Sequence, residues 1–242
     1  IGSFIAGRFG YDWERGRLDL APHPFTTSFG AGDVRITTRF LEKDGMSALF
    51  STMHETGHAL YDQGLSAKYR DTSLDRAASY AIHESQSRLW ENLVGRSREF
   101  CRFAFPVMQM LFPQHLGNIT LEQFYRGINR VEPSFIRVEA DEATYNMHIM
   151  LRFEIETGLL EGSLRARDLP EIWNARMQEY LGVTPPDDAN GVLQDVHWSS
   201  GLVGYFPTYA LGNLISAQLW EKMVSEHPVI PEAMTEGDFS QI

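Results

Sequence analysis

Between Asp44 and Gly64 the apolar residues Met46, Leu49, Phe50, Met53, Leu60 and Tyr61 recur at helical spacing. An aspartate suited to capping stands ahead of them and a glycine suited to ending a helix stands behind, so the pattern predicts one helix between the two. A second helix is predicted from about Ser73 to Gly95, with Ala77, Ala81, Leu89 and Leu93 facing the core. Thr120 and Gln123 form a capping box that starts a helix broken by Pro133, and another helix follows through "RVEADEATYNMHIMLRFEIE" to Gly158. Asp168, Pro170 and Gly182 frame a further helix, "GVTPPDDANG" reads as loop, and a last helix runs from about Pro207 to Ser225. One stretch departs from this period. "GDVRITTRF", Gly32 to Phe40, alternates Val34, Ile36, Thr38 and Phe40 against Arg35, Thr37 and Arg39, as a strand with one polar face would. The chain is therefore expected to be mainly α, with a small β element near its start.

At 242 residues and 43% hydrophobic, the chain can bury a substantial core in one large domain or two small ones. Its formal net charge of −11, with no lysine- or arginine-rich run to offset it locally, argues against nucleic acid as a partner. The longest apolar stretches, such as Phe103 to Phe112, are too short and too interrupted by Pro106 and Gln109 to span a membrane. Cys101 stands alone, which rules out an intramolecular disulfide and points to the cytoplasm; it reads as a small buried apolar residue. The opening "IGSFIAGRFG" lacks an initiating Met and the order of a signal peptide, as a segment of something longer would.

Chemistry concentrates in "MHETGHALYDQG", Met53 to Gly64. A helix turns 100° per residue, so His54 and His58 project from one face a single turn apart, within reach of one metal ion. Glu55 flanks that face, where its carboxylate can take a proton from a metal-activated water. The competing reading is an exposed helix with two ordinary histidines; small Gly57 and Ala59 and apolar Leu60 and Tyr61 tell against it. Zinc needs a third protein donor. Glu84 in "AIHESQSRLWEN", on the next predicted helix, is preferred, with His83 as its rival and an ordinary surface pair with Arg88 as the alternative for Glu84.

These residues resemble the carboxypeptidase Taq family of metallocarboxypeptidases. The likeness rests on six motifs in order: "HPF" from His23, "DVRIT" from Asp33, "HETGH" from His54, "HESQ" from His83, "IRVEAD" from Ile136 and "GVLQDVHW" from Gly191. The resemblance implies zinc held by His54, His58 and Glu84, with cobalt or manganese as substitutes, and Glu55 as general base. It also implies a helical groove with a small sheet at its edge, peptide substrates with a free C-terminus, broad specificity and a homodimer. Family members are about twice this length. The helical region ahead of "HPF" and the segment after "EGDFS" have no counterpart here, so residues 1–242 are expected to form a single catalytic core domain.

The expected reaction is hydrolysis of the C-terminal peptide bond, with Glu55 deprotonating a zinc-bound water and passing the proton to the leaving amine. An oxyanion donor is expected among His197, Tyr205 and Tyr209, with Tyr209 favoured. A free carboxylate suits a guanidinium, so Arg137 is the first choice for substrate binding and Arg35 the second, each with an ion pair as its structural alternative. His23 is a further pocket candidate. Asp33 and Asp141 are expected either to pair with these arginines or to orient a ligand histidine. Two other outcomes remain consistent with these residues: a zinc endopeptidase or dipeptidase, and a metal-binding fragment without catalysis.

Overall fold

The computed structural model describes residues 1–42 and 44–242, which divide into two compact units. The first comprises residues 1–128 with 212–242, the second residues 129–211.

The first unit begins with helix α1 (Gly2–Phe9) and a three-stranded sheet of β1 (Leu18–Leu20), β2 (Thr26–Ser28) and β3 (Val34–Thr38). Strand β3 is central: β1 pairs with it in parallel, Leu18 opposite Ile36, and β2 antiparallel, Thr27 opposite Arg35. Val34 and Ile36 are fully buried and pack with Ala6, Tyr11 and Ala59, as their alternation requires. The other face is less polar than its sequence suggests. Thr37 is buried because its hydroxyl receives the Phe25 N–H at 2.9 Å, and Phe40, past the end of the strand, is exposed.

Helix α2 (Gly45–Gln63) starts where the pattern places it, with Asp44 accepting the Met46 and Ser47 amides at 3.1 and 3.0 Å. Gly64 follows it in a right-handed conformation, so it ends the helix without a left-handed turn. Helix α3 (Tyr80–Arg88) is shorter than expected. Ser79 caps it through the Ile82 amide, while residues 71–75 close on themselves in turns (Asp75 N–H to Thr72 O, Asp71 N–H to Asp75 Oδ2). Side chains that bond their own backbone compete with helix. The chain continues through a π turn, Leu89–Val94, in which Gly95 N–H reaches back to Trp90 O.

Helices α4 (Arg98–Leu111), α5 (Pro113–Leu116) and α6 (Leu121–Ile128) follow, and the Thr120–Gln123 capping box forms in both directions, at 2.9 and 3.2 Å. Helix α6 stops before Pro133 is reached. The core of this unit joins Ile5 and Phe9 of α1, Leu49, Phe50 and Met53 of α2, Trp90, and Phe100 and Met108 of α4. Burying such side chains supplies about 1.5–3 kcal/mol each, and here it anchors α2 through Leu49, Phe50 and Met53.

The second unit holds α7 (Tyr145–Leu160) and α8 (Leu169–Leu181), packed through Leu151, Ile155, Trp173, Met177 and Leu181. Helix α7 begins later than its sequence suggests. Asp141 accepts the Ala143 and Thr144 amides at 2.9 Å each, and the Glu132 amide, which holds this segment in a turn. Only the single turn Arg137–Glu139 is helical before it. Asp168 precedes α8 but pairs with Arg165 instead of capping, whereas Gly182 takes the left-handed terminal position, φ 69°. Helix α9 (Pro207–Glu226) crosses the boundary between the units, and α10 (Ile230–Thr235) closes the first unit through buried Ile230 and Met234. Among the described residues no helix is long and apolar enough to cross a membrane.

Candidate metal centre

Helices α2 and α3 run side by side, and their facing side chains bring three donors together. His54, His58 and Glu84 each offer an atom within 4.8 Å of the others. The Glu84 Oε2 atom lies 3.4 Å from His58 Nε2 and 3.8 Å from His54 Nε2. Glu84 is buried, and its other oxygen, Oε1, accepts from Arg88 Nε at 2.9 Å. The pair with Arg88 therefore exists, but it leaves Oε2 turned to the histidines, so the ion pair and the donor role are compatible.

Each histidine is held by its outer nitrogen. His54 Nδ1 donates to Glu91 Oε2 at 2.8 Å. His58 Nδ1 lies 2.6 Å from His83 Nδ1, and His83 Nε2 lies 3.1 Å from Asp62 Oδ1. Asp62 only accepts when ionised, so His83 donates to it from Nε2 and accepts from His58 at Nδ1. With a proton on each Nδ1, the neutral form of either imidazole turns an Nε2 lone pair towards Glu84 Oε2. Two neutral imidazoles and one carboxylate, aimed inward with their outer atoms satisfied, form a donor set that fits a divalent metal such as zinc. His83 orients a donor in this arrangement and is not one itself.

The charges support the same assignment. Burial alone raises the Glu84 carboxyl, but His54 and Arg88 outweigh it and hold it well below the usual carboxylate range. Glu91, likewise opposed by burial, is pulled down to about 2 by Arg88 and His54. Burial disfavours the His54 cation, yet Glu84 and Glu91 raise its pKa to about 8, so their field favours positive charge where a metal would sit.

Glu55, next to His54 on α2, is buried, and Thr26 on β2 bridges it: the Thr26 hydroxyl lies 2.6 Å from Glu55 Oε2 and 3.0 Å from Glu55 O. The β element therefore holds the expected base.

The remaining expected residues each have partners of their own. Arg35 is exposed and makes a two-pronged pair with Asp33, at 2.8 and 2.7 Å. His23 is exposed and its Nδ1 donates to Pro24 O. In the second unit Arg137 is buried, with Nε and Nη2 on Asp195 Oδ1 and Nη1 on Tyr145 Oη. Its partner is thus Asp195 and not Asp141, which is occupied with backbone amides. Arg152 takes the other oxygen of Asp195, with Nε at 2.8 Å. His197 Nε2 and Tyr209 Oη are 2.9 Å apart, and the Tyr205 ring lies 5.4 Å from the His197 ring.

Glu91, Asp62 and Thr26 escaped the sequence reading. Two of them carried a signal: Glu84, Arg88 and Glu91 stand at i, i+4 and i+7, one stripe of a helix, and Asp62 follows His58 by one turn.

A histidine pair on one helix, a glutamate from the next and a carboxylate beside the first histidine make up a candidate metal site on a helical scaffold. Residues 1–242 match the family described as Carboxypeptidase Taq (M32) metallopeptidase. "Thermostable carboxypeptidase 1" of Thermus thermophilus is 51% identical over 95% of this chain and 45% of its own length. "Carboxypeptidase 1" of Bacillus subtilis is 47% identical over 99% of the chain and 48% of its own. The crystal structure of the M32 carboxypeptidase from Deinococcus radiodurans R1 superposes with a TM-score of 0.96 at 47% identity, covering 99% of this chain and 48% of that one. The chain belongs to the carboxypeptidase Taq (M32) family and spans about half the length of the relatives it matches.

Proposed function

We propose that this chain is the catalytic core of a zinc metallocarboxypeptidase that hydrolyses the C-terminal peptide bond of peptides with broad specificity. The observation that supports this most directly is the convergence of His54, His58 and Glu84 beside Glu55, in a chain 44–51% identical to proteins named carboxypeptidases. Zinc, when held by these three residues, supplies Lewis-acid polarisation and a water of lowered pKa. Glu55 accepts the proton of the attacking water and passes it to the amine of the departing residue. Its carboxylate is kept in place for both transfers by Thr26.

Recognition of the terminal carboxylate falls to Arg35 before Arg137. The Arg35–Asp33 pair is exposed and screened by solvent, so a substrate carboxylate can displace Asp33. Asp195 is locked against two buried guanidinium groups, which makes the Arg137 pair structural in this reading. The roles of His23 in the substrate pocket and of His197, Tyr205 and Tyr209 as oxyanion donors rest on the sequence motifs, the homodimer on the family resemblance, and the cytoplasmic location on the lone Cys101.

Because the chain spans about half the length of its relatives, a second reading is a metal-binding core that does not itself hydrolyse peptides. Elemental analysis and release of the C-terminal residue from an N-blocked peptide, with its amide as control, separate the two. Chelator-sensitive release that is lost in Glu55→Gln with zinc retained supports the enzyme. Stoichiometric zinc without release supports the binding core, and equal cleavage of acid and amide would point to an endopeptidase.

A further inference from the structure

Helix α3, which carries Glu84, is touched by glycine from two sides. On α2, Gly57 sits between the two histidines, and a Cβ built there lies 2.6 Å from Gln86 O and 2.7 Å from Ser87 Cα. On α9, a Cβ at Gly212 lies 2.7 Å from Glu84 Cγ, 2.9 Å from Glu84 Cβ and 3.3 Å from its carbonyl carbon. Non-bonded carbons sit comfortably at about 3.5–4 Å, so each alanine demands a shift of roughly 1 Å. At Gly57 the obstacle is backbone, which no rotamer relieves, and at Gly212 it is the root of the Glu84 side chain. Gly212 and Ser216, one turn apart, are the buried residues of α9.

Neither glycine has a positive φ, so neither is needed for a backbone conformation that other residues avoid. Both stand inside helices, where glycine is a poor choice. What they share is closeness to α3.

We infer that Gly57 and Gly212 are positioning residues for the third metal donor: without Cβ atoms, they let α3 seat between α2 and α9 so that Glu84 Oε2 meets the two imidazoles. The inference rests on the metal reading given above. Metal–donor bonds tolerate deviations of about 0.2 Å, far less than the shift either methyl group would impose.

The test is zinc affinity of the 242-residue chain, measured by competition with a chromophoric chelator, with circular dichroism of the apo-protein as a check on folding. Gly57→Ala and Gly212→Ala are expected to keep the wild-type helical spectrum and to weaken zinc binding about tenfold or more, the scale on which residues supporting a donor act. Gly127→Ala, on α6 with nothing within 4 Å of the added methyl, is expected to bind as the wild type does. Because Gly212 acts through Glu84, the double variant Glu84→Ala/Gly212→Ala is expected to bind no more weakly than Glu84→Ala alone. Wild-type affinity in the two folded glycine variants, further loss in the double variant, or loss of the helical spectrum on either alanine substitution overturns the inference. If Glu84→Ala itself binds zinc as tightly as the wild type, the donor assignment fails along with it. If Glu84→Ala is weak while Gly212→Ala is unaffected, the donor assignment stands and only the positioning role falls.

Discussion

His54 Nδ1 donates to Glu91 Oε2 at 2.8 Å, and the same carboxylate oxygen accepts from Arg88 Nη1 at 3.0 Å. Glu91 thus faces a ligand histidine on one side and, through Arg88, is joined to the carboxylate of Glu84 on the other. The donor set is held as one charged, hydrogen-bonded assembly.

Glu91→Gln can keep an oxygen against both His54 and Arg88 but removes the negative charge that faces them. Zinc affinity is expected to fall tenfold to a hundredfold, read by chelator competition. An unchanged affinity would reduce Glu91 to an ion-pair partner of Arg88.

Asp195 serves two buried guanidinium groups, those of Arg137 and Arg152. Burial raises its carboxyl, and the two arginines overcome this to hold it below the ordinary carboxylate value. Asp195→Ala strands both cations, and breaking a buried pair by removing one partner costs about 3–5 kcal/mol. Urea denaturation checks this; a loss under 1 kcal/mol would mean that water reaches the site.

His148 is fully buried with neither ring nitrogen hydrogen-bonded. Burial, reinforced by Arg152 and Arg137, pushes it down from 6.5 to about 3. A base whose folded pKa is depressed stays neutral in the fold while the unfolded chain takes up a proton. Stability is therefore expected to fall as the pH drops through 6.5 and to level off below about 3, with a loss of about 3 kcal/mol by pH 4. His148→Leu removes this contribution, so its denaturation midpoint falls less steeply with pH. Parallel slopes in the two proteins would place the acid sensitivity elsewhere.

Cys101 is buried in α4, and burial pushes its thiol up to about 12. At pH 8 its thiolate is then about one part in ten thousand, too little for iodoacetamide to label the folded chain. Mass spectrometry is expected to find alkylation only after denaturation, and rapid native labelling would reveal an opening of α4.

The parts of the fold legible in the sequence are those whose signals are local. Asp44 caps α2 because its oxygen reaches amides two and three residues on, and the histidine pair follows from the helical pitch alone. Strands β1 and β2 are three residues each, too short for alternation to show, and only pairing with β3 defines them. The apolar spacing that starts at Ala77 extends the predicted helix back to about Ser73, yet the helix begins at the Ser79 cap because the turns before it consume their own polar groups. At the metal centre the donors were legible by type and spacing. Arg137's partner was not, since Asp195 lies far along the chain and only tertiary packing brings the two together.

Thr26 has one hydroxyl hydrogen and two Glu55 oxygens within reach, the backbone carbonyl and Oε2. It can satisfy only one at a time. A rotation about a single side-chain bond thus decides which of the two oxygens the hydroxyl hydrogen engages. The contact between sheet and helix at Glu55 therefore depends on a group that can reorient about one bond while its backbone stays in place.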